Sequence, residues 1–311
     1  MRLLVSGGTG FVGARIVREA LAAGDVVAVI SRSGIGAGRL ADVADRVTSL
    51  VSHFGDVDRL APGVQAFAPD AVVHTAWFGV GNQFRHDPRQ LDANLAGSAA
   101  LVTLAADAGA RVFVGIGSQA EYGPQEGLLD EAAVTTPTTR YGVAKLAAGH
   151  LCRIAAAERG LRFAWLRLFS SYGPGDNPEW MLPSLARQLL QGERPALTPG
   201  DQRWDFIHVS DVARATLAVA RSEGASGVFN LGSGDAPPLR RTIETVRDYI
   251  DPSLPLGFGD VAYRPDQVMW LQADVTRLTA ATGWVPIVPL AEGLQELVDD
   301  IRVAAGSGAT A

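Results

Sequence analysis

Short apolar runs alternate with longer stretches of helical periodicity through the first half of the chain. LLV at 3–5, VVAVI at 26–30, VTSLV at 47–51, AVVHT at 71–75, VFVGI at 112–116 and FAWLRLF at 163–169 predict buried parallel strands. Between them, 11–23, roughly 88–108 and 139–158 carry apolar residues at helical spacing: Val12, Ile16 and Ala20 share one face, as do Val17 and Leu21. Strand, helix and strand repeated in this way predict the α/β class, with a doubly wound parallel sheet. After about residue 170 the rhythm breaks, and Pro and Gly crowd YGPGDNPEW, GERPALTPGDQ, DAPPL and DPSLPLGFGD. The expected division is a first domain of residues 1–169, with a return to its sheet at about 205–232. A smaller C-terminal α/β lobe takes 170–204 and 233–311.

With 311 residues and 47% hydrophobic content, the chain is long enough for a real core, and no apolar run is long enough to span a membrane. The first strand begins at Arg2, leaving no room for a signal or transit peptide, so a cytoplasmic protein is expected. The formal net charge of -6 argues against non-specific nucleic-acid binding. Cys152 stands alone, which excludes a disulfide framework and a Cys-based zinc site, and the five His are too scattered for a metal constellation. The small, polar tail AAGSGATA is expected to be disordered.

Directly after the first strand, Gly7, Gly10 and Gly13 space out a turn that runs into a helix through Phe11 and Val12. Such a turn lets the backbone approach a pyrophosphate and aims free N–H groups at it. Residues 1–169 therefore read as a dinucleotide-binding domain, and the second lobe as the substrate-binding one. After the second strand, where an NAD site usually holds a ribose hydroxyl with a carboxylate, the chain has Ser31, Arg32 and Ser33, and the next acid is Asp42. A guanidinium suits the 2′-phosphate of NADP(H). NADP(H) is thus expected over NAD(H), with both accepted if Arg32 is a solvated loop charge. Asp56, followed by Val57, either hydrogen-bonds an adenine or caps the next helix.

Near mid-chain, TRYGVAKLAAGHL places Tyr141 and Lys145 one helical turn apart. A phenol with a pKa of about 10 carries protons poorly near neutrality. A nearby ammonium and an oxidised nicotinamide would both favour the phenolate. Ser118, at the end of the fifth strand, is the hydroxyl expected to fix the substrate oxygen.

These blocks resemble the extended short-chain dehydrogenase/reductases, the NAD-dependent epimerase/dehydratase group acting on nucleotide sugars. SGGTGFVG, HTAW at 74–77, SQAEYG, RLFSSYGPG, RWDFIHVSDVA, FNLGSG, YRPDQ and LTAATGWVP are similar to its blocks in their order. The resemblance implies a Rossmann sheet, with Thr75, Ala76 and Asn94 at the cofactor and Ser118, Tyr141 and Lys145 as the catalytic set. Trp77, Gln119 and Ser170, which replaces the usual Asn, would contact substrate. Arg203 and Arg264 would clamp the sugar-nucleotide pyrophosphate. Phe78, Asn82 and Trp180 are further substrate candidates, while His208 and Asp211 read as structural. The family's 4,6-dehydratases carry an Asp-Glu pair where this chain has Gln119 and Ala120, which cannot do that acid–base work. The expected activity is NADPH-dependent reduction of an NDP-4-keto-6-deoxyhexose. The rivals are an NDP-sugar 4-epimerase with bound NAD and a non-catalytic NADP(H) sensor. A homodimer through the helices at 88–108 and 139–158 is also implied.

Overall fold

The computed structural model describes residues 1–265 and 267–307, excluding the side chains of the last two. Seven parallel strands form one sheet: β1 (Arg2–Ser6), β2 (Val26–Ser31), β3 (Val47–Val51), β4 (Ala71–His74), β5 (Val112–Ile116), β6 (Arg162–Leu168) and β7 (Gly227–Leu231). Their order is β7-β6-β5-β4-β1-β2-β3. Strand order reverses between β1 and β4, and the crevice beyond their carboxyl ends is where such sheets hold ligands.

The strands are apolar throughout because both faces are covered. In β1, Leu3 and Val5 point into one core with α1 (Phe11–Ala22) and α6 (Val209–Arg221), while Leu4 points into the other. That second core is covered by α2 (Val57–Phe67), α3 (Leu95–Asp107) and α4 (Arg140–Glu158). β3 departs from the expectation of a buried strand. It lies at the sheet edge, and its residues after Val47 are largely exposed. Two further departures concern helices. α2 escaped the periodicity reading because Pro62 interrupts it. The stretch 88–108 is two helices, Arg89–Asp92 and α3, separated at Asn94.

The second lobe packs α5 (Met181–Leu190), α7 (Leu239–Ile250) and α8 (Leu290–Ser307) around Leu185, Leu189, Ile243, Val246, Leu294 and Leu297. Short ladders join it to the first lobe: Ser170–Tyr172 pairs with Phe206–His208, and Trp270–Ala273 pairs with Gly127–Leu129. Asp205 is buried and accepts N–H bonds from Ser233, Gly234 and Ala273, tying three segments together. Asp211 accepts from Ile287 and Val288 and so pins the approach to α8. That helix continues through Ser307, so residues 304–307 of the tail are helical, and 308–311 lie outside the described residues. Among the described residues, no helix is long and apolar enough to cross a membrane.

Candidate active site

β1 feeds the glycine turn and α1 leaves it. Gly7 adopts φ 75°, and a methyl group on it would lie 2.5 Å from the Ala76 nitrogen. A methyl on Gly13 would collide with the Gly7 carbonyl. Thr75 Oγ1 closes the turn by donating to the carbonyls of Ser6 at 2.8 Å and Gly7 at 3.1 Å. Gly10 differs: a methyl there would meet the Gly7 oxygen at 3.3 Å and nothing else within 4 Å, so the space opens into the cavity. No side chain caps α1, and its first turn carries no acid. At the end of β2, the Ser31 hydroxyl is buried without a partner. An open cradle, an uncapped helix start and an orphaned hydroxyl are what a bound dinucleotide would complete.

Across the crevice, two residues past the end of β5, Ser118 caps the turn Gln119–Glu121 by accepting from Ala120 N at 3.2 Å. Its own proton is thereby left for another acceptor. Thr139 caps α4 by accepting from Gly142 N at 3.0 Å and so sets where Tyr141 starts. A side chain at Gly142 would collide with the Ala120 carbonyl, so the catalytic helix and the catalytic turn meet backbone to backbone. Lys145 Nζ donates to the Ile116 carbonyl at 2.8 Å and sits 3.7 Å from the Trp77 ring centre. Burial lowers the Lys145 ammonium to about 7, against the pull of the Glu121 charge. Burial raises the Tyr141 phenol, while the Ser118 hydroxyl and the Arg85 guanidinium draw it down. Beneath the site His74 is fully buried between Ser6 Oγ at 2.6 Å and Ser98 Oγ at 2.9 Å. Burial lowers its imidazole to about 3, so it stays neutral.

These groups line one cavity of about 1230 Å³, room for a dinucleotide and a second ligand together. On the cofactor side it takes in Gly7, Gly10, Phe11, Val12, Gly13, Ser31, Arg32, Thr75 and Ala76. On the substrate side it takes in Trp77, Phe78, Asn82, Gln119, Ser170, Trp180 and Arg264, with Ser118, Tyr141 and Lys145 between. Among the described residues its cationic walls are Arg32, Arg39, Arg85, Lys145 and Arg264, against one carboxylate, Asp176. In a chain of net charge -6 this is a concentrated positive surface suited to phosphorylated ligands.

Five expected contacts fall outside this wall. Ser33 is exposed, in a loop that turns away at Gly34 with φ 80°. Asp56 stands at the start of α2 and accepts from Ser52 Oγ at 3.3 Å, and Val57 opens that helix. Ser52, His53 and Phe54 form the wall instead. Asn94 is buried behind the site, where it accepts from Phe78 N at 2.7 Å and donates to the Gln90 carbonyl at 2.9 Å. It therefore shapes the wall without touching the cavity. Arg203 donates to the Ala236 carbonyl at 2.9 Å and stacks on Trp270. Its neighbour Trp204 faces the cavity and donates Nε1–H to Ser170 Oγ at 2.7 Å.

Sequence reasoning missed Arg39, Asp176 and Trp204. Arg39 donates from both Nε and Nη2 to the Gly175 carbonyl and so bridges the lobes. Burial raises the Asp176 carboxyl to about 7.

Fold and site together define an NAD(P)-dependent oxidoreductase-type enzyme. The chain belongs to the NAD dependent epimerase/dehydratase family, whose model matches residues 3–232. It is similar to the UDP-glucose 4-epimerase of Streptomyces lividans, 31% identical over 306 residues, covering 92% of this chain and 91% of that protein. The GDP-6-deoxy-D-mannose reductase of Pseudomonas aeruginosa is 31% identical over 243 residues, covering 75% and 80%. The crystal structure of the Thermus thermophilus UDP-glucose 4-epimerase in complex with NAD matches with a TM-score of 0.85 at 26% identity, covering 98% of this chain and all of that one.

Proposed function

We propose that this protein reduces the keto group of an NDP-4-keto-6-deoxyhexose with NADPH. The carrying observation is the adenosine end of the cavity. Arg32 and Arg39 line it, and the nearest following acid, Asp42, is engaged by Arg18 at 2.6 and 2.9 Å. Arg32 beside the unpartnered Ser31 hydroxyl, with no carboxylate free at the end of β2, suits a 2′-phosphate, and Arg39, held by the Gly175 carbonyl and facing Asp176, adds positive charge nearby; this favours a cofactor that arrives reduced and leaves oxidised. Arg264 and the aromatic faces of Trp180 and Trp204 suit a nucleoside diphosphate in the same cavity.

A bound nicotinamide supplies a hydride to the carbonyl carbon. Tyr141 gives its proton to the carbonyl oxygen, and Ser118 donates a hydrogen bond to that oxygen as charge develops there. Lys145 is held by Ile116 and Trp77 beside Tyr141, where its charge stabilises the phenolate left behind. Gln119 and Ala120 follow Ser118 directly, and neither can exchange a proton, which argues against dehydration. In this reading residues 1–169, with the return at about 205–232, serve the cofactor; 170–204 and 233–311 serve the substrate. The enzyme works in the cytoplasm as a homodimer formed through α3 and α4.

The similarity to the Streptomyces lividans epimerase favours a second reading: inversion at carbon 4 of an NDP-hexose with retained NAD. Purified protein, NADPH or NADH and a panel of NDP-4-keto-6-deoxyhexoses separate the two. Rapid NADPH consumption with one nucleotide series is expected, and Tyr141→Phe should lower it about 10²- to 10⁴-fold while NADPH binding stays intact. No cofactor consumption, with inversion of UDP- or dTDP-hexoses, moves the assignment to the epimerase.

A further inference from the structure

Behind Ser118 lies a charged group that the reaction above does not use. Glu121 is 1% exposed. Its Oε1 accepts from the Ser118 backbone N–H at 2.9 Å and from Trp165 Nε1 at 2.9 Å, and its Oε2 accepts from Arg167 Nε at 2.8 Å. Arg167 is itself buried and stacks 4.5 Å from the Tyr122 ring centre. Any side chain at Gly117 would collide with Trp165, and its Cβ would come 2.5 Å from Glu121 Oε1. The sequence therefore keeps a glycine where the carboxylate must reach the strand end. A three-residue turn needs no buried ion pair to hold its shape, and a capping box closed by an exposed Glu would serve. Burying the pair carries a desolvation cost, so its place against the catalytic turn calls for a reason beyond stability.

We propose that Glu121 is a positioning residue: seated between the Ser118 amide and the Arg167 guanidinium, it fixes the catalytic hydroxyl and holds a negative charge behind Tyr141 and Lys145. This rests on the hydride-transfer reading of the site. The charged and titratable groups facing Lys145 are Glu121, His74, Cys152 and Tyr141, whose ring centre lies 6.0 Å from the ammonium; those facing Tyr141 are Lys145, Arg85 and Glu121, with the Ser118 hydroxyl beside it. The Glu121 charge raises both Lys145 and Tyr141. Reduction needs Tyr141 protonated and Lys145 charged. Removing the Glu121 charge therefore moves the alkaline limb of kcat to lower pH, whichever of the two groups sets it.

The test compares Glu121→Gln with the double variant Glu121→Gln/Arg167→Met, which leaves no unpaired buried charge if the single variant misfolds. With circular dichroism and NADPH affinity unchanged, kcat should fall about 10- to 100-fold. KM for the sugar should stay within about threefold, and the alkaline limb should move down by about one pH unit. In a Ser118→Ala background, measured below the alkaline limb, the Glu121 effect on kcat should shrink to less than about twofold because that part acts through the hydroxyl, while the shift of the limb persists. A folded double variant with wild-type kcat and an unmoved limb overturns the proposal, as does an undiminished effect on kcat below the limb in the Ser118→Ala background. If the wild type consumes no NADPH but inverts a hexose, the reductase reading fails, and the same cycle run on inversion still decides Glu121. Without turnover of either kind, ultraviolet titration of the phenol decides it, with Tyr141→Phe as the blank. A lower Tyr141 midpoint in Glu121→Gln supports the charge role, and an unmoved midpoint overturns it.

Discussion

Asp176 sits at the seam of the two lobes, where its Oδ1 accepts from Asn177 N at 2.7 Å and Arg39 lies close by. Burial raises its carboxyl to about 7 in the fold, well above the value in an unfolded chain. The folded state thus binds a proton more readily between about pH 4 and pH 7. The resulting stabilisation is complete below the unfolded value and is lost as pH rises through 7. Asp176→Asn should therefore raise Tm at pH 8 by a few degrees and change it little at pH 4, measured by scanning calorimetry. An equal shift at both pH values would rule out this titration. Residues of this kind were not legible in the sequence, because Asp176 and Arg39 meet only when two distant loops converge. Tyr141, Lys145 and Ser118 were legible because a helical turn and a strand end place them without help from the rest of the chain. Arg203 failed for a third reason. Neighbours on a strand face opposite sides, and here that parity gives the cavity Trp204 and turns the guanidinium outward.

At the scale of elements, the three glycines of the first turn do different work. Gly13 lets α1 press on the Gly7 carbonyl, so Gly13→Ala forces helix and strand apart and should lower Tm by several degrees. Gly10 faces open space, so Gly10→Ala should leave Tm almost unchanged and weaken NADPH binding tenfold or more, on the order of 1.4 kcal/mol. Thermal melts and fluorescence titration of NADPH on both variants check the contrast; equal losses of Tm would refute it. The strands and α1 were readable because apolar runs and glycine spacing are local signals. α2 was hidden by Pro62, and the break before α3 by Asn94, whose backbone N–H turns to the Leu91 carbonyl while its side chain is held by the Phe78 backbone. The edge position of β3 follows from sheet order, which no single strand encodes.

For the whole molecule, α4 presents an exposed apolar stripe of Val143, Leu151 and Ile154 on the side away from the sheet. An isolated apolar residue at a surface is ordinary, but a stripe at helical spacing on the helix that carries Tyr141 suits a two-fold contact. If the proposed homodimer forms through this stripe, Leu151→Glu/Ile154→Lys should leave a monomer in sedimentation velocity. A wild type that sediments as a monomer would dismiss the contact altogether.

The first core is closed by elements that arrive late. Val212, Ala215 and Leu217 of α6 pack with Ile16, Val17 and Ala20 of α1, and Phe229 and Leu231 of β7 complete the same cluster. Arg162 caps the far end of α6 by donating to the carbonyls of Val219 and Ala220, and Arg221 reaches back to Asp25 at 2.6 Å. On the ribosome, then, the face of α1 stays uncovered from Ala22 until Arg221 while about 200 further residues are added, some 10 to 40 seconds of synthesis at typical rates. A gene cut after Phe169 would encode a fragment with half its sheet roofless. The segment that completes the first core also interrupts the second lobe, so the two are translated interleaved and mature together.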